Sequence, residues 1–167
     1  PAGFYYKTFM WPKSFWYKVY EPFIRKAAGF GAASTKHDKE RYEHKYEYCD
    51  LLIAGSGPSG LASAYAAAKN GARVILAEDK PRFGGSLLTS EVTIGNQSGE
   101  EWANSIITEL KEMPNVIVKN RAQIFGYYDH NMLVMSERIN DHLPKSKKYS
   151  PKQRLWYIRA KEVVISS

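Results

Sequence analysis

The stretch from Cys49 to Asp79 constrains the fold of this chain more than any other feature of its sequence. An apolar run at 51–54 leads directly into the turn Gly55-Ser56-Gly57-Pro58-Ser59-Gly60, and an alanine-rich segment and a second apolar run at 73–77 follow. A glycine-rich turn between a strand and a helix, within a unit of about thirty residues, is typical of dinucleotide-binding sites. The sequence therefore predicts a strand, a helix and a second strand around such a site.

Each glycine of this turn has a separate role in the prediction. Gly55 permits the tight turn, Gly57 lets the backbone approach a pyrophosphate, and Gly60 lets the helix pack closely on the strand. The phosphates would lie on free amides at the helix N-terminus, where Pro58 fits because its missing N–H would have no intrahelical acceptor. Glu78 ends the second strand, where a carboxylate can accept hydrogen bonds from an adenosine ribose.

The residues that follow Glu78 refine the site without identifying the dinucleotide. Glu78 argues against NADP, whose 2′-phosphate would face it, although Lys80 and Arg82 would soften that repulsion. The glycine pair in Phe83-Gly84-Gly85-Ser86 would bring a loop over the ligand. Ile124 lies where such folds offer backbone groups to adenine. These residues do not separate NAD from FAD.

The remaining sequence pattern predicts an α/β fold. Ser98-Gly99-Glu100-Glu101 is a capping box that begins a helix running to about Glu112, and 116–118 form a short buried strand. Alternating segments at 122–128, 132–138 and 154–161 predict three antiparallel strands, before a buried parallel strand at 163–167. We expect a Rossmann-like FAD/NAD(P)-binding fold with a parallel sheet and a three-stranded antiparallel excursion.

Residues 1–48 are predicted to form an aromatic-rich helical arm and charged connector, ahead of a partial dinucleotide-binding domain at 49–167. Apolar residues recur at helical spacing over 13–28, with Pro22 near a helix start or break and Gly29 as a stop. The connector is a candidate helix over 39–46. The aromatic rings of the arm need a neighbouring surface, either in the nucleotide domain or on another domain or subunit.

The composition of the chain limits the kinds of partner and compartment that we expect for it. The chain has 24 basic and 17 acidic residues, but its densest basic cluster, between Lys145 and Arg154, is interpreted as a solvated loop. No motif of a DNA- or RNA-binding module accompanies it, so we expect no nucleic-acid partner. The single cysteine, Cys49, excludes an intrachain disulfide and indicates a reducing compartment such as the cytoplasm. No uncharged run approaches the roughly 18 residues that span a bilayer, so we expect no membrane span.

Groups that could perform chemistry are absent from the sequence pattern. The four histidines have no metal-ligand spacing with acids or with the cysteine. Ser56 and Ser59 do not lie in the arrangement of a nucleophile elbow. We therefore assign no catalytic residue and no metal ligand to this chain.

Four segments together resemble the α subunits of heterotetrameric sarcosine oxidases. They are the aromatic stretch at 5–31, the nucleotide motif at 48–88, QIFGYYDHN at 123–131 and PKQRLWYIRAKEVVIS at 151–166. The aromatic stretch is the specific part, because many flavoproteins share the dinucleotide motif. The α subunits of amino-acid dehydrogenases and cyanide synthases are arranged similarly and remain alternatives.

The resemblance implies an oxidoreductase that demethylates sarcosine to glycine, forms hydrogen peroxide and passes a one-carbon unit to tetrahydrofolate. It implies β, γ and δ subunits as partners, FAD and FMN elsewhere in the complex, and NAD at this motif. The positions matching the NAD site are Ser59, Glu78, Asp79, Lys80, Ser86 and Ile124. The chain would then be a fragment that binds nucleotide poorly alone. A stand-alone FAD-dependent oxidoreductase and a non-catalytic assembly module are the competing hypotheses.

Overall fold

The computed structural model of the chain describes residues 11–31, 34–143 and 149–166. The chain divides into two compact units between Lys39 and Glu40, whereas the sequence placed the division after Tyr48. The difference arises because residues 42–48 form part of the sheet of the second unit.

The first unit contains a π-helical turn at Trp16–Tyr20 that leads into helix α1 (Glu21–Ala27). Pro22 lies in the first turn of α1, where its missing N–H breaks no helical hydrogen bond. Gly29 follows with a φ of 73°, the left-handed conformation that ends many helices. The predicted helix of the arm is thus present as a π-helical turn followed by a short α-helix. The first ten residues of the arm lie outside the described part of the chain.

The second unit is built on a six-stranded sheet with the order β5-β2-β1-β8-β7-β6. Strands β3 and β4 form a separate two-stranded hairpin. The elements of this unit, in chain order, are β1 (Tyr42–Ala54), α2 (Pro58–Lys69), β2 (Val74–Ala77), β3 (Thr93–Ile94), β4 (Gln97–Ser98), α3 (Gly99–Glu112), β5 (Val116–Lys119), β6 (Ala122–Tyr128), β7 (Met132–Arg138) and β8 (Gln153–Ile165). Strands β5, β2, β1 and β8 are parallel, and β7 and β6 continue the sheet in antiparallel pairing. The predicted α/β fold with its antiparallel excursion is confirmed.

Helix α3 begins and ends where the sequence predicted. The Ser98 hydroxyl accepts a hydrogen bond from the Glu101 amide at 3.3 Å, and the Glu101 carboxylate accepts one from the Ser98 amide at 2.8 Å. These bonds satisfy two backbone donors that an uncapped helix would leave without partners. The capping box is therefore formed as predicted.

The predicted connector helix over 39–46 is wrong, because β1 begins at Tyr42. Tyrosines and a histidine alternate there with charged residues, which is the two-residue period of a strand. Residues 42–49 lie opposite 153–160 of β8, and the rings of Tyr46 and Tyr157 stack with centroids 5.1 Å apart. Pairing with β8 supplies backbone partners that a short helix would lack.

Residues 154–161 and 163–167 were predicted as separate strands, but 153–165 form the single strand β8. It pairs with β7 along 153–159 and with β1 along nearly its whole length. Arg154 therefore lies in the sheet, where its guanidinium hydrogen-bonds Glu43 at 2.8 Å, and is not part of a solvated loop. Residues 144–148 of the basic cluster, and Ser167, lie outside the described residues.

Two apolar cores cover the faces of this sheet. On one face α2 and α3 bury Leu61 and Leu110 against Ile53 and Leu76. On the other, Leu52 and Ile75 pack with Trp156 and neighbours from β6–β8. Burying one such aliphatic side chain contributes about 1.5–3 kcal/mol relative to leaving it exposed. Within the described ranges, no helix has the length and apolar character needed to cross a bilayer.

Candidate dinucleotide-binding site

A cleft of about 710 Å³ lies at the carboxyl ends of β1, β2 and β8. Its volume falls within the range of about 300–1,000 Å³ that is typical of small-molecule sites. In open α/β sheets, ligands bind beyond the carboxyl ends of the strands, where the loops into the helices form a crevice. The fold therefore positions this cleft where a nucleotide site is expected.

The structure brings almost all of the predicted site residues together in this cleft. Those that line it are Gly55, Gly57, Pro58, Ser59, Glu78, Asp79, Lys80, Gly85, Ser86 and Ile124. Gly60 is the exception, because it is buried beneath the cleft at the start of α2. A Cβ atom on Gly60 would lie 2.1 Å from the Gly55 carbonyl oxygen, so this glycine allows the helix to pack on the turn.

Gly55 is required by the backbone itself. Its φ is 101°, which residues with a side chain rarely adopt, and an added Cβ would lie 2.0 Å from the carbonyl oxygen of Ser166. The end of β8 therefore approaches the turn closely. Gly55 and Gly60 together satisfy the packing of the fold, as their predicted roles require.

Gly57 has no such role in the folded chain. Its φ of −65° is available to any residue, and no atom lies within 4 Å of the position that its Cβ would occupy. An alanine there would project into open space in the cleft. The space next to Gly57, where the turn meets α2, therefore contains no side chain. A ligand group that is bound by backbone amides could occupy this space.

The N-terminus of α2 adjoins Gly57 and has no side-chain cap, in contrast to the fully capped α3. The first amides of a helix need partners from outside it, and the helix dipole places about half a positive charge there. Pro58 occupies the first turn, where no amide is required. This end of the cleft has the donors and the clearance that a pyrophosphate would use.

Glu78 lies at the end of β2 and is only 6% exposed. One carboxylate oxygen accepts hydrogen bonds from the Ser56 amide at 2.9 Å and the Ser56 hydroxyl at 2.5 Å, and the other accepts one from the Lys80 amide at 2.9 Å. A carboxylate has about four acceptor positions. Glu78 therefore retains capacity for about one more donor, such as a ribose hydroxyl.

The glycine pair after β2 closes against the glycine-rich turn. The Gly84 amide donates to the Ser56 carbonyl at 3.0 Å and to the Ser56 hydroxyl at 3.2 Å. A Cβ on Gly85 would lie 2.9 Å from the Gly57 Cα, so a side chain could not be accommodated at this approach. The two loops form one hydrogen-bonded wall of the cleft, and the predicted position of 83–86 over a ligand stays a prediction.

Ser56 and Ser166 are site residues that sequence reasoning did not find. The Ser56 side chain is fully buried and joins the turn, Glu78 and Gly84. The Ser166 hydroxyl lies 2.6 Å from that of Ser59. Neither contact has a signal in the sequence, because the partners are 22 to 107 residues apart along the chain.

A metal cluster and a reactive thiol are the two reactive features that can be checked among the described residues. No cluster of three or more His, Cys, Asp or Glu side chains among them could hold a metal ion. Burial raises the pKa of the Cys49 thiol to about 12, which keeps it protonated and unreactive at neutral pH.

Comparison with known proteins assigns the chain to a family of redox enzymes. The model for the family described as FAD dependent oxidoreductase matches residues 50–138. The sarcosine oxidase subunit alpha of Rhizobium meliloti (strain 1021) is 45% identical over 99% of this chain, and that of Corynebacterium sp. (strain U-96) is 34% identical over 84%. The predicted resemblance is thus confirmed. The chain spans 17% and 15% of the length of these relatives.

Solved structures support the fold. L-proline dehydrogenase from P. horikoshii is 19% identical and superposes with a TM-score of 0.56, covering 81% of this chain and 25% of its own. A geranylgeranyl bacteriochlorophyll reductase-like protein from Thermoplasma acidophilum is 15% identical with a TM-score of 0.53, covering 73% and 40%. These two structures show the fold, and the family match over more than half of the chain shows that the chain belongs to the FAD-dependent oxidoreductase family.

Proposed function

We propose that the second unit binds an adenine dinucleotide in the cleft beneath Gly57. The pyrophosphate would lie on the first amides of α2, a ribose hydroxyl would donate to Glu78, and the adenine would lie beside Ile124. The observation that carries this proposal is the open space at Gly57, since a glycine there serves no packing need of the fold. Asp79, Lys80, Gly85 and Ser86 would complete the walls around the ligand.

The whole protein would be a subunit of an oxidoreductase that demethylates sarcosine to glycine with formation of hydrogen peroxide. The identity of 45% to a sarcosine oxidase subunit alpha supports this proposal. Transfer of the one-carbon unit to tetrahydrofolate, assembly with β, γ and δ subunits, FMN elsewhere in the complex and a cytoplasmic location remain predictions from the resemblance. In this scheme the second unit binds the nucleotide, while the chemistry takes place elsewhere.

NAD is the dinucleotide that the resemblance predicts, and FAD is the second candidate. The description of the matched family names FAD, which favours FAD and gives no support to NAD. A cleft built from backbone amides and one carboxylate suits the adenosine diphosphate moiety that the two cofactors share.

Purification of the polypeptide that carries this chain would separate these candidates. Flavin absorbance that disappears when binding at this cleft is blocked by Gly57→Leu would identify FAD, whereas saturable binding of added NAD that Gly57→Leu abolishes would identify NAD. If neither dinucleotide binds and other subunits still co-purify, the assembly-module hypothesis replaces this proposal.

Glu78→Ala tests the ribose contact. We expect dinucleotide binding to weaken by about 1–3 kcal/mol, because hydrogen bonds to a charged acceptor would be lost. Glu78→Gln serves as the control, since it keeps the shape of the side chain and one acceptor oxygen. Thermal unfolding of both variants would separate lost binding from lost folding, and an unchanged affinity of a folded Glu78→Ala variant would reject the role.

A further inference from the structure

Two serine hydroxyls meet at the wall of the dinucleotide cleft. Ser59 lies in the first turn of α2, Ser166 directly follows β8, and both residues line the cleft. Their Oγ atoms are 2.6 Å apart, which is within the range of a hydrogen bond between hydroxyls. The pair therefore lies at the same end of the cleft as the first amides of α2.

The backbone and the packing of α2 fix the position of Ser166. Its amide donates to the Ala54 carbonyl at 2.8 Å, which extends the pairing of β8 with β1. A Cβ atom on the buried Gly60 would lie 3.2 Å from the Ser166 Oγ, so this hydroxyl is close to the buried side of the helix. Ser59 is exposed. Ser59 is thus the member of the pair that is more open to the cleft.

A count of hydrogens shows that the pair has one donor to spare. Each hydroxyl carries one hydrogen and can also accept a hydrogen bond. One hydrogen joins the two oxygens, and neither hydroxyl has another hydrogen-bond partner in the described part of the chain. When Ser166 donates to Ser59, the hydrogen of Ser59 stays available to a ligand. Accepting one hydrogen bond also polarises the Ser59 hydroxyl and strengthens its own donation.

The surroundings of Ser59 favour an anionic acceptor. The first amides of α2 have no side-chain cap, and the helix dipole adds about half a positive charge there. Open space adjoins them at Gly57. Hydrogen bonds to an ionised oxygen are roughly twice as strong as those between neutral groups. A phosphate oxygen is therefore the acceptor that suits the free hydrogen of this pair.

From this geometry we propose that Ser59 donates a hydrogen bond to the pyrophosphate of the dinucleotide, and that Ser166 is a positioning residue for the Ser59 hydroxyl. Ser166 donates to Ser59, and Ser59 donates to a pyrophosphate oxygen. This role rests on the proposed function, and it adds two side chains to a contact otherwise made by backbone amides. A pair that only tied β8 to α2 would affect stability and no ligand.

The test is calorimetric titration of the polypeptide that carries this chain, freed of bound nucleotide, with ADP and with adenosine. ADP contains the diphosphate that NAD and FAD share, and adenosine lacks it. We expect Ser59→Ala to weaken ADP binding about 10-fold, the effect of one charge-assisted hydrogen bond, and to leave adenosine binding unchanged. Ser59→Thr keeps the hydroxyl and should restore ADP binding. Ser63→Ala, at a hydroxyl of α2 that does not line the cleft, should change neither affinity.

A double-mutant cycle tests the positioning role of Ser166. Ser166→Ala should weaken ADP binding about 2- to 10-fold, and the double variant should lose no more than Ser59→Ala alone, because Ser166 acts only through Ser59. Additive losses would overturn this role. Thermal unfolding shows whether each variant is folded. If Ser166→Ala does not fold, Ser166→Cys provides the same comparison, because its thiol is only a weak donor.

Failure of this role and failure of the proposed function give different results. If the original protein binds neither ADP nor adenosine, the proposed function fails, and the role of the two serines fails with it. If the original protein binds ADP and a folded Ser59→Ala variant binds it equally well, the pair only ties β8 to α2. The dinucleotide proposal would then stand without the serine contact.

Discussion

At the scale of single residues, the glycines of the turn differ in what surrounds them. Gly55 and Gly60 face backbone atoms at 2.0 and 2.1 Å, whereas Gly57 faces open space. The packing roles that the sequence assigned to Gly55 and Gly60 agree with these distances, whereas the pyrophosphate contact of Gly57 stays a prediction. Only the structure shows which of the glycines the fold itself requires.

Gly57→Ala should therefore weaken dinucleotide binding while leaving the free energy of unfolding within about 0.5 kcal/mol of the original. Its methyl group would enter the cleft without touching the protein. Gly60→Ala is the matched comparison and should destabilise the fold, because backbone atoms must move. Urea unfolding and dinucleotide titration of both variants check this, and equal losses of stability would contradict it.

Ser56→Ala should lower the free energy of unfolding by about 1–3 kcal/mol, because the buried Glu78 carboxylate and the Gly84 amide both lose a hydroxyl partner. Ser59→Ala is the control at an exposed hydroxyl of the same turn and should change stability by about 0.5 kcal/mol or less. Chemical denaturation measures both. A similar effect of the two substitutions would show that the hydrogen bonds of the Ser56 hydroxyl do not stabilise the fold.

The Cys49 thiol should not react with iodoacetamide in the native protein at pH 8. It is buried in the sheet, and its pKa, raised by burial to about 12, leaves almost no thiolate. Mass spectrometry should show labelling only after addition of urea. Rapid labelling of the native protein would show that this part of β1 is open.

At the scale of secondary structure, elements set by neighbouring residues were predicted correctly, whereas strands set by distant pairing were predicted with the wrong lengths. Helix α3 was predicted correctly because its capping box and its end near Glu112 depend on neighbouring residues. Strand β1 was predicted too short, because the charges over 42–48 resemble a surface helix until β8 lies beside them. The same distant pairing joins the two predicted segments of β8 into one strand.

Asp50 of β1 joins β8 and the residue before β2, since its carboxylate hydrogen-bonds Arg73 and lies 2.8 Å from Lys161 in β8. The bonds from Arg73, followed by those from Lys161, hold the pKa of Asp50 well below its usual range. A carboxylate with a depressed folded-state pKa contributes stability above its unfolded pKa of about 3.9, and this contribution is lost as the pH falls through the folded pKa.

We therefore expect Asp50→Asn to destabilise the protein at pH 7 and to flatten the loss of stability below about pH 4. Thermal unfolding at several pH values measures both effects. The control is Asp79→Asn, at an exposed acid that contacts neither Arg73 nor Lys161. In this variant, the part of the stability loss below about pH 4 that Asp50 causes should remain. If Asp50→Asn leaves the loss of stability at acid pH unchanged, the depressed pKa of Asp50 does not contribute to stability.

At the scale of the whole molecule, a buried carboxylate in the second unit joins strands that are distant in sequence. Glu137 of β7 accepts hydrogen bonds from Trp156 Nε1 at 2.7 Å, Lys119 at 2.9 Å and Arg154 at 3.3 Å. Arg154 also bonds Glu43, so the network reaches β5, β7, β8 and β1. This arrangement orders the sheet around Trp156.

Glu137→Ala should lower the free energy of unfolding by about 1.5–3 kcal/mol, because Trp156 and Lys119 lose their acceptor and Arg154 keeps only Glu43. Glu137→Gln keeps one acceptor oxygen and should cost less. Equilibrium unfolding followed by tryptophan fluorescence would measure both. Equal stability of the Glu137→Ala variant and the original protein would show that the network adds nothing to the fold.

The sequence by itself determined the glycine-rich motif, the packing roles of Gly55 and Gly60, the course of α2 and α3 and the α/β class. These depend on contacts within about thirty residues, where spacing and capping act locally. The tertiary structure alone decided the lengths of β1 and β8, the position of Ser56 between Glu78 and Gly84, and the contact between the Ser59 and Ser166 hydroxyls. Those features come from backbone hydrogen bonds between distant segments, which the order of residues does not reveal until the sheet has formed.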